Sequence, residues 1–523
     1  MIFYQNATAV GLVLTSLPGV AGVYMYYRTP YRKTAFSLLL LSAFLIRLLM
    51  ISLDPYLQDW DERFHAIVAK NMMDFPFKPM MVVNPIMAYN YQDWWNSHIW
   101  VHKQPLFMWQ MAISMKIFGV NTVAMRLPMA IMGTIAIWMI RDIANRWTRN
   151  DEIAFITAFL VTFAWYGLEM VAGDMSLDHN DFTFYFYITS GTWAWSRYTE
   201  SRKPIKWSIL TGVFVGCAIL VKWLTAYVVL GGWGLYILLS PDRRSALKSY
   251  LHLGLSFLIS IVVFLPWQLY IMKRFPLETA WSYEYNKMHL WRDLGHEGPW
   301  YYHFMVMYFL YHTILIGCLV IGLISVLVAK EMNRRLSIAY ISMIVVIYVF
   351  FSFVVTRMPG FVFPVSGLMY ILMAAGFYFF LQSPSLMIKS WNKVRTSVVP
   401  TLLLVLGFFC LRPFKIMGLR DEDNVNRNRK INNTLIYKHL DPAIVKNYII
   451  INCPNHEQLE LMYHAGGNAY ISYPKEHVLD SLQAAGYKFA AFEFNPQYLL
   501  PEYILKDTTI IKLKDGLQAF TDK

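Results

Sequence analysis

Apolar runs of about 18 residues or more recur almost from end to end of this chain, and no other feature restricts its fold so strongly. A stretch such as "TAFSLLLLSAFLIRLLMISL" (34–53) is as long as a helix needs to cross the hydrocarbon core of a bilayer. Composition agrees: 57% of residues are apolar and 15% charged, against roughly 45–50% and about 25% in soluble domains. The expected class is a polytopic α-helical membrane protein with about 12–13 spans. Their approximate limits are 8–27, 34–53, 122–140, 153–172, 181–197, 206–221, 223–240, 249–271, 304–329, 336–356, 361–382 and 397–415. The first lacks a preceding basic segment, so it is expected to be a retained span rather than a cleaved signal. "KQPLFMWQMAISMKIFGV" could be a thirteenth, but one more crossing would invert every later loop. A re-entrant or interfacial helix is the preferred expectation.

Charge sets the orientation. The balance is +13, yet Lys and Arg fall in small clusters between apolar runs and form no nucleic-acid-like patch. Alternate loops carry them: Arg28, Arg32 and Lys33; Arg141, Arg146 and Arg149; Arg197, Arg202, Lys203 and Lys206; Arg243, Arg244 and Lys248; Lys330, Arg334 and Arg335; Lys389, Lys393 and Arg395. That side is expected to be cytoplasmic. The loops 54–121 and 272–303, "GDMSLDHND" (173–181) and the tail from about 416 then face outward. Three cysteines lie in apolar runs and only Cys453 in a polar one, so no disulfide framework or CxxC metal site can be built.

The outward segments differ in character. "WDERFHAIVAKNMM" places Phe64, Ile67, Val68 and Met72 on one helical stripe, suited to lying in the interface. Tyr89, Tyr91, Trp94, Trp95 and Trp100 read as headgroup-level anchors. Beyond about 415 the apolar runs stop. There "NYIIINC", "NAYISY", "YKFAAFEF" and "TTIIKL" read as strands, "HEQLELMYHAG" and "KEHVLDSLQAAG" as helices ending at Gly. The expected organisation is a transmembrane catalytic domain, 1–415, and a small extracytoplasmic α/β domain, 416–523, covering or orienting the site.

Ionisable groups in or at the lip of a bilayer are costly, so those that gather on one side invite a functional reading. The outward side collects Asp61 and Glu62, His102 and Lys103, Asp174, Lys222, Arg292, His296 and the aromatics of "WRDLGHEGPWYYHF", Tyr302 among them, and Arg357. Each has a plainer alternative. Lys222 and Arg357 could snorkel; Asp174 could cap the next span, with Asp178 or Asp181 equal candidates; His102 and His296 could be structural. Asp59 reads as a solvated neighbour, and Gly212–Gly216 as a helix-packing GxxxG. A divalent cation held by His102 and His296 is a further option, although no close ligand spacing supports it.

These same residues carry a family resemblance. "WDERFHA", "HKQPLFMWQMAISMKIFGVNTVAMRLPMAI", "GDMSL", "LVKWLTA", "HLWRDLGHEGPWYY" and "TRMPGFVFP" run in the order of the motifs of the GT-C superfamily of polyprenyl-phosphate-sugar transferases. The chain most resembles the lipid A aminoarabinose transferase branch, related more distantly to the protein O-mannosyltransferases. The likeness covers about residues 34–382. Departures are Phe64 and His65 where a Tyr is usual, Gln104 in the Lys-Pro-Pro motif, and Arg357-Met358-Pro359-Gly360-Phe361 in place of Lys-Leu-Pro-His-Tyr.

The resemblance implies a GT-C fold and sugar transfer from a polyprenyl-phosphate donor to an envelope glycan, lipid A or a protein hydroxyl. It also implies residence in a bacterial inner (plasma) membrane with a periplasmic site, and no obligatory cofactor. Asp61, favoured by the resemblance over Glu62, would be the general base. Lys103, Lys222, Arg292 and Arg357 would hold the departing phosphate, and a single base implies inversion at the sugar carbon. The competing class is a transporter or flippase of lipid-linked sugars, which tends to carry its charges near the midplane and in inverted repeats.

Overall fold

The structure is a computed structural model that describes residues 3–175, 178–382, 391–453, 456–495 and 498–518. Lys389 of the last basic loop, and Ser176 and Leu177 of the "GDMSL" motif, lie outside the described residues. Among the described residues, eight helices are long and apolar enough to cross a membrane: Ala7–Arg28, Arg32–Ser52, Thr122–Thr148, Pro204–Lys222, Leu247–Arg274, Arg334–Phe353, Pro359–Gln382 and Arg395–Leu419. Two bent pairs raise this to ten: Asp151–Thr162 with Trp165–Ala172 at 44°, and Tyr302–Tyr311 with Thr313–Val328 at 112°. The chain is an integral membrane protein.

Twelve expected spans therefore become eight to ten by length and composition. The two that fall short are helical, and each fails for a physical reason. Asp178–Tyr198 begins with His179, Asn180 and Asp181 and is buried along nearly all its length, so it meets protein rather than lipid and has no need to be apolar. Leu224–Leu239 is too short to span alone. Leu106–Phe118, with 13 residues, reaches only about 20 Å, consistent with the re-entrant or interfacial expectation.

Packing is tight where small residues permit it. A Cβ on Gly212 would stand 2.5 Å from the Ser256 carbonyl oxygen, and one on Gly216 2.8 Å from that of Ser260. The GxxxG face thus lets Pro204–Lys222 and Leu247–Arg274 approach backbone to backbone. At the basic ends of the bundle, Asp151 joins Arg32 and Arg141 while Glu152 joins Arg395, so charges from distant loops share one side.

Beyond the last span, strands β1 (Ile449–Ile451), β2 (Phe489–Phe492) and β3 (Ile511–Leu513) form a parallel sheet in the order β1-β2-β3. Expected "NAYISY" contributes only an isolated bridge, Ile450 to Ala469, rather than a strand. The two expected helices are present as Glu457–His464 and Glu476–Ala484, followed by Gly466 and Gly486 at positive φ.

The first outward segment departs most from expectation. The helix Asp61–Met72 does not lie in the interface. It is buried on both its apolar and polar faces, from Glu62 through Ala69 and again at Met72. Nor is Trp100 a headgroup anchor, since it is buried against Phe64 with ring centroids 6.0 Å apart.

Candidate functional site

The acidic cluster that opens the helix Asp61–Met72 is divided by the fold into three different environments. Asp61, at its first residue, keeps a side chain 18% exposed, with Lys103 Nζ 3.9 Å from Oδ2. Burial works to raise its carboxyl, but Lys103, His65, Lys222 and His296 outweigh it and hold the group below the usual aspartate range. Asp61 is thus a carboxylate at neutral pH, loosely paired and partly open.

Lys222 ends the helix Pro204–Lys222 and forms an ion pair with Asp181 from the buried start of Asp178–Tyr198. Its ammonium also stands 4.6 Å from the Phe361 ring centroid. Both Asp61 and Lys222 are set by unusual backbone. Trp60 before Asp61 has φ 63°, and Trp223 after Lys222 has φ 114°. Such conformations cost energy in bulky residues and persist where surrounding structure enforces them, often beside functional groups.

Glu62 is a correction. It was expected on the substrate side, yet it is fully buried. Arg126 Nε and Nη2 each donate to it at 2.7 Å, His179 lies at 2.8 Å and the Gln58 amide donates at 2.6 Å. Burial raises its carboxyl, and Arg126 and His179 more than reverse this, leaving it well below the usual range. Gly173, at φ 84°, makes room for it: a Cβ there would fall 2.3 Å from Glu62 Oε1. Glu62 anchors the helix and has no free face for a substrate.

Asp59, expected to be solvated, instead meets Arg63 at 3.2 Å, Arg429 at 3.1 Å and Lys430 at 3.0 Å. Arg63 continues to Glu457 and Glu460 at 3.1 and 2.8 Å, and Arg429 to Glu457 at 2.8 Å. The polar segment beyond residue 416 is thereby bolted to the back of the Asp61 helix.

Asp174 is placed beside a second buried anchor. Its amide donates to the Glu169 carbonyl at 3.1 Å. Burial raises its carboxyl, with Arg420 opposing and Asp54 adding to the rise. Its neighbours are those of the anchor in which Arg420 grips Glu169 at 2.9 and 2.8 Å and Asp54 at 3.0 Å.

The remaining candidates form a rim. His102 stacks on Trp94 at 4.5 Å and 8°, and burial beside Lys103 drives its imidazole well below the usual range, so it is neutral. Arg292 and His296 are exposed. Their carbonyls receive the Thr356 hydroxyl at 3.2 Å and the Arg357 amide at 2.9 Å. Arg357 gives its guanidinium to the carbonyls of Gly298, Ser352 and Val355, so in this state it staples the 292–298 loop instead of standing open to a phosphate. Tyr302 is half-buried against Gly298. His102 and His296 are not assembled as metal ligands: one is stacked among aromatics and the other lies in the exposed loop. No group of three or more His, Cys, Asp or Glu among the described residues could hold a metal ion.

Sequence reasoning singled out Asp61, Lys103 and Lys222, and the structure brings these together. It named Asp181 only as an alternative cap, although a "DHND" run opening an otherwise apolar helix was a visible signal. His65 was noted only as a departure. Burial lowers it to about 4, so it is neutral beside Asp61 at pH 7.

Comparisons with known proteins agree with this architecture. The family model for dolichyl-phosphate-mannose-protein mannosyltransferase matches residues 102–270, a segment holding Lys103, Asp181 and Lys222. An uncharacterized protein of Aquifex aeolicus (strain VF5) is 25% identical over 337 residues, 62% of this chain; the chain spans 60% of that relative's length. ArnT from Cupriavidus metallidurans, solved bound to undecaprenyl phosphate, has a TM-score of 0.63 at 16% identity, covering 89% of both chains. The archaeal oligosaccharyltransferase AglB from Archaeoglobus fulgidus, solved with an inhibitory peptide and a dolichol-phosphate, has a TM-score of 0.56 at 12% identity, covering 85% of this chain and 65% of its own. At such identities the likeness speaks to fold alone: the chain shares the fold of these two proteins, the GT-C fold that the order of motifs implied.

Proposed function

We propose that this GT-C-fold membrane protein is a glycosyltransferase that moves a sugar from a polyprenyl phosphate to a hydroxyl acceptor at the outward face of the membrane. The observation that carries the reading is Asp61: a partly open carboxylate kept ionised by Lys103 at 3.9 Å, with Lys222 in electrostatic reach. The neighbours solved with undecaprenyl phosphate and dolichol-phosphate support the choice of donor.

In the reaction, the acceptor oxygen attacks the anomeric carbon while its proton passes to Asp61. The bond from that carbon to the phosphate oxygen breaks, and polyprenyl phosphate leaves with the electron pair. Lys103 and Lys222 stabilise the charge that grows on the phosphate. One base and no covalent intermediate give inversion. The acceptor belongs to the envelope glycan, lipid A or protein-hydroxyl class, and residence in a bacterial inner membrane follows the same family likeness.

Detergent-purified protein given a panel of polyprenyl-phosphate sugars and candidate acceptors should release polyprenyl phosphate and form a product of inverted configuration. Intact donor throughout the panel, or retained configuration, would refute the proposal.

A further inference from the structure

Two cations near the outward end of the last span take no part in the reaction above. The span Arg395–Leu419 starts at the basic end of the bundle, where Arg395 meets Glu152. It finishes beside Arg420, which is spent on Glu169 and Asp54. Between these anchors stand Arg412 and Lys415, and neither has an ion-pair partner among the described residues. Glu169 and Asp174 reach Lys415 only through space, and Glu169 is already gripped by Arg420. Unmatched cations inside a span are costly and call for a partner.

Snorkelling would carry each cation out toward water, and the observed geometry is different. The guanidinium carbon of Arg412 lies 5.0 Å from the centroid of the Trp165 ring, and Nη2 donates to the Tyr308 carbonyl at 2.7 Å. The Lys415 ammonium lies 3.9 Å from the same Trp165 centroid and 4.8 Å from that of Phe309. One turn of chain supplies both, since the Lys415 amide donates to the Arg412 carbonyl at 2.9 Å. Arg412 holds φ 51°, a conformation that costs energy in a residue with a long side chain. Two like charges are thus gathered over one buried indole, with Lys415 exposed and Arg412 half-buried. The ring attracts each cation modestly, while their mutual repulsion stays uncompensated. A phosphate held by both would reverse that balance, and a guanidinium can grip two of its oxygens.

The surroundings select the kind of phosphate. Phe408, Phe409 and Phe414 are exposed on the same span, with ring centroids 5.9 Å apart for Phe408 and Phe414 and 5.7 Å for Phe409 and His312. His312, at φ 72°, is the break at which Tyr302–Tyr311 and Thr313–Val328 bend by 112°. A soluble anion would match the cations alone, whereas a lipid brings a phosphate and apolar chains together. We infer that Arg412 and Lys415, beside the elbow of the broken span, bind the phosphate of an anionic phospholipid whose chains cover Phe408, Phe409 and Phe414. Basic sites between spans take lipid head groups in this way. Such a site is independent of sugar transfer.

Full-length protein, stripped of lipid in detergent, is titrated with phosphatidylglycerol and followed by native mass spectrometry. A single tightly retained lipid per chain is expected, with zwitterionic phosphatidylcholine held on the order of tenfold more weakly. Arg412→Gln and Lys415→Gln should each weaken retention by a similar factor, whereas Lys203→Gln, in a basic loop, should not. Lys415 makes no hydrogen bond among the described residues, so its substitution probes the site without disturbing the elbow. That variant should melt like wild type without lipid, and the rise in melting temperature that phosphatidylglycerol gives wild type should shrink in it. Millimolar inorganic phosphate should leave the lipid in place. Equal retention of the two lipids, retention unchanged in Lys415→Gln, or displacement by inorganic phosphate would overturn the site as one for an anionic lipid.

Discussion

The two faces of one helix, Asp61–Met72, carry charge in opposite styles. On the rear face Asp59, Arg63, Arg429, Lys430, Glu457 and Glu460 form a closed network in which each carboxylate meets a cation at 3.2 Å or less. Thr434 and Tyr437 add hydroxyl donors to Glu460 and Glu457. On the front face Asp61 has one ammonium at 3.9 Å, and Asp181 keeps an unfilled oxygen. Burying charge is expensive, and a network repays the cost only when every group is matched. On the rear face every carboxylate has its cation, and the network fixes how the polar segment beyond residue 416 sits. The front face is not matched in this way, and that shortfall is what a substrate would make good.

Asp61→Asn should produce the largest effect, a loss of about 10²–10⁴ in transfer rate, measured by single-turnover release of polyprenyl phosphate, with the melting temperature little changed. A comparable loss from a rear-face substitution would break the contrast. Glu457→Gln should instead act on stability. It uncouples Arg63 and Arg429 from a buried carboxylate, at a cost of about 3–5 kcal/mol, seen in chemical or thermal unfolding of the detergent-solubilised protein.

Lys103→Met sharpens the front face through pH. Asp61 must be ionised to accept a proton, and its folded pKa is depressed. Activity therefore persists as pH falls through the ordinary aspartate range and is lost only below it. Removing Lys103 leaves burial less opposed, so the acid limb of the kcat/KM profile should move to higher pH, and an unmoved limb would separate Lys103 from Asp61. The smallest effect is expected at Asp174. Its carboxyl is raised in the folded state, so ionisation there opposes folding at neutral pH. Asp174→Asn should transfer sugar at a near-normal rate and unfold at the same or slightly higher temperature.

How far the sequence revealed this depends on how local each cause is. Helices such as Arg32–Ser52 follow from an unbroken apolar run, and the Gly212–Gly216 approach from spacing alone. Asp178–Tyr198 was expected as a span, 181–197, and falls short on composition because its start, His179, Asn180 and Asp181, is polar and buried within protein. Within the site, Asp61, Lys103 and Lys222 were legible because they gather on one side of the chain's expected topology and fall in motifs that run in family order, although each alone had a plainer reading. Glu62 was not, since its partners Arg126 and His179 lie 64 and 117 positions away. The rear network joins residues nearly 400 positions apart, and nothing in "NRNRK" (426–430) announces that its cations will close on the first outward loop.

The most direct test of the contrast is the single-turnover transfer rate per folded molecule in Asp61→Asn and Glu457→Gln, measured side by side. The expected result is a stable but inactive protein in the first case, and in the second a weakened fold whose folded fraction still turns over near the wild-type rate. Full activity in Asp61→Asn, with the chemistry lost instead from folded Glu457→Gln, would contradict the account.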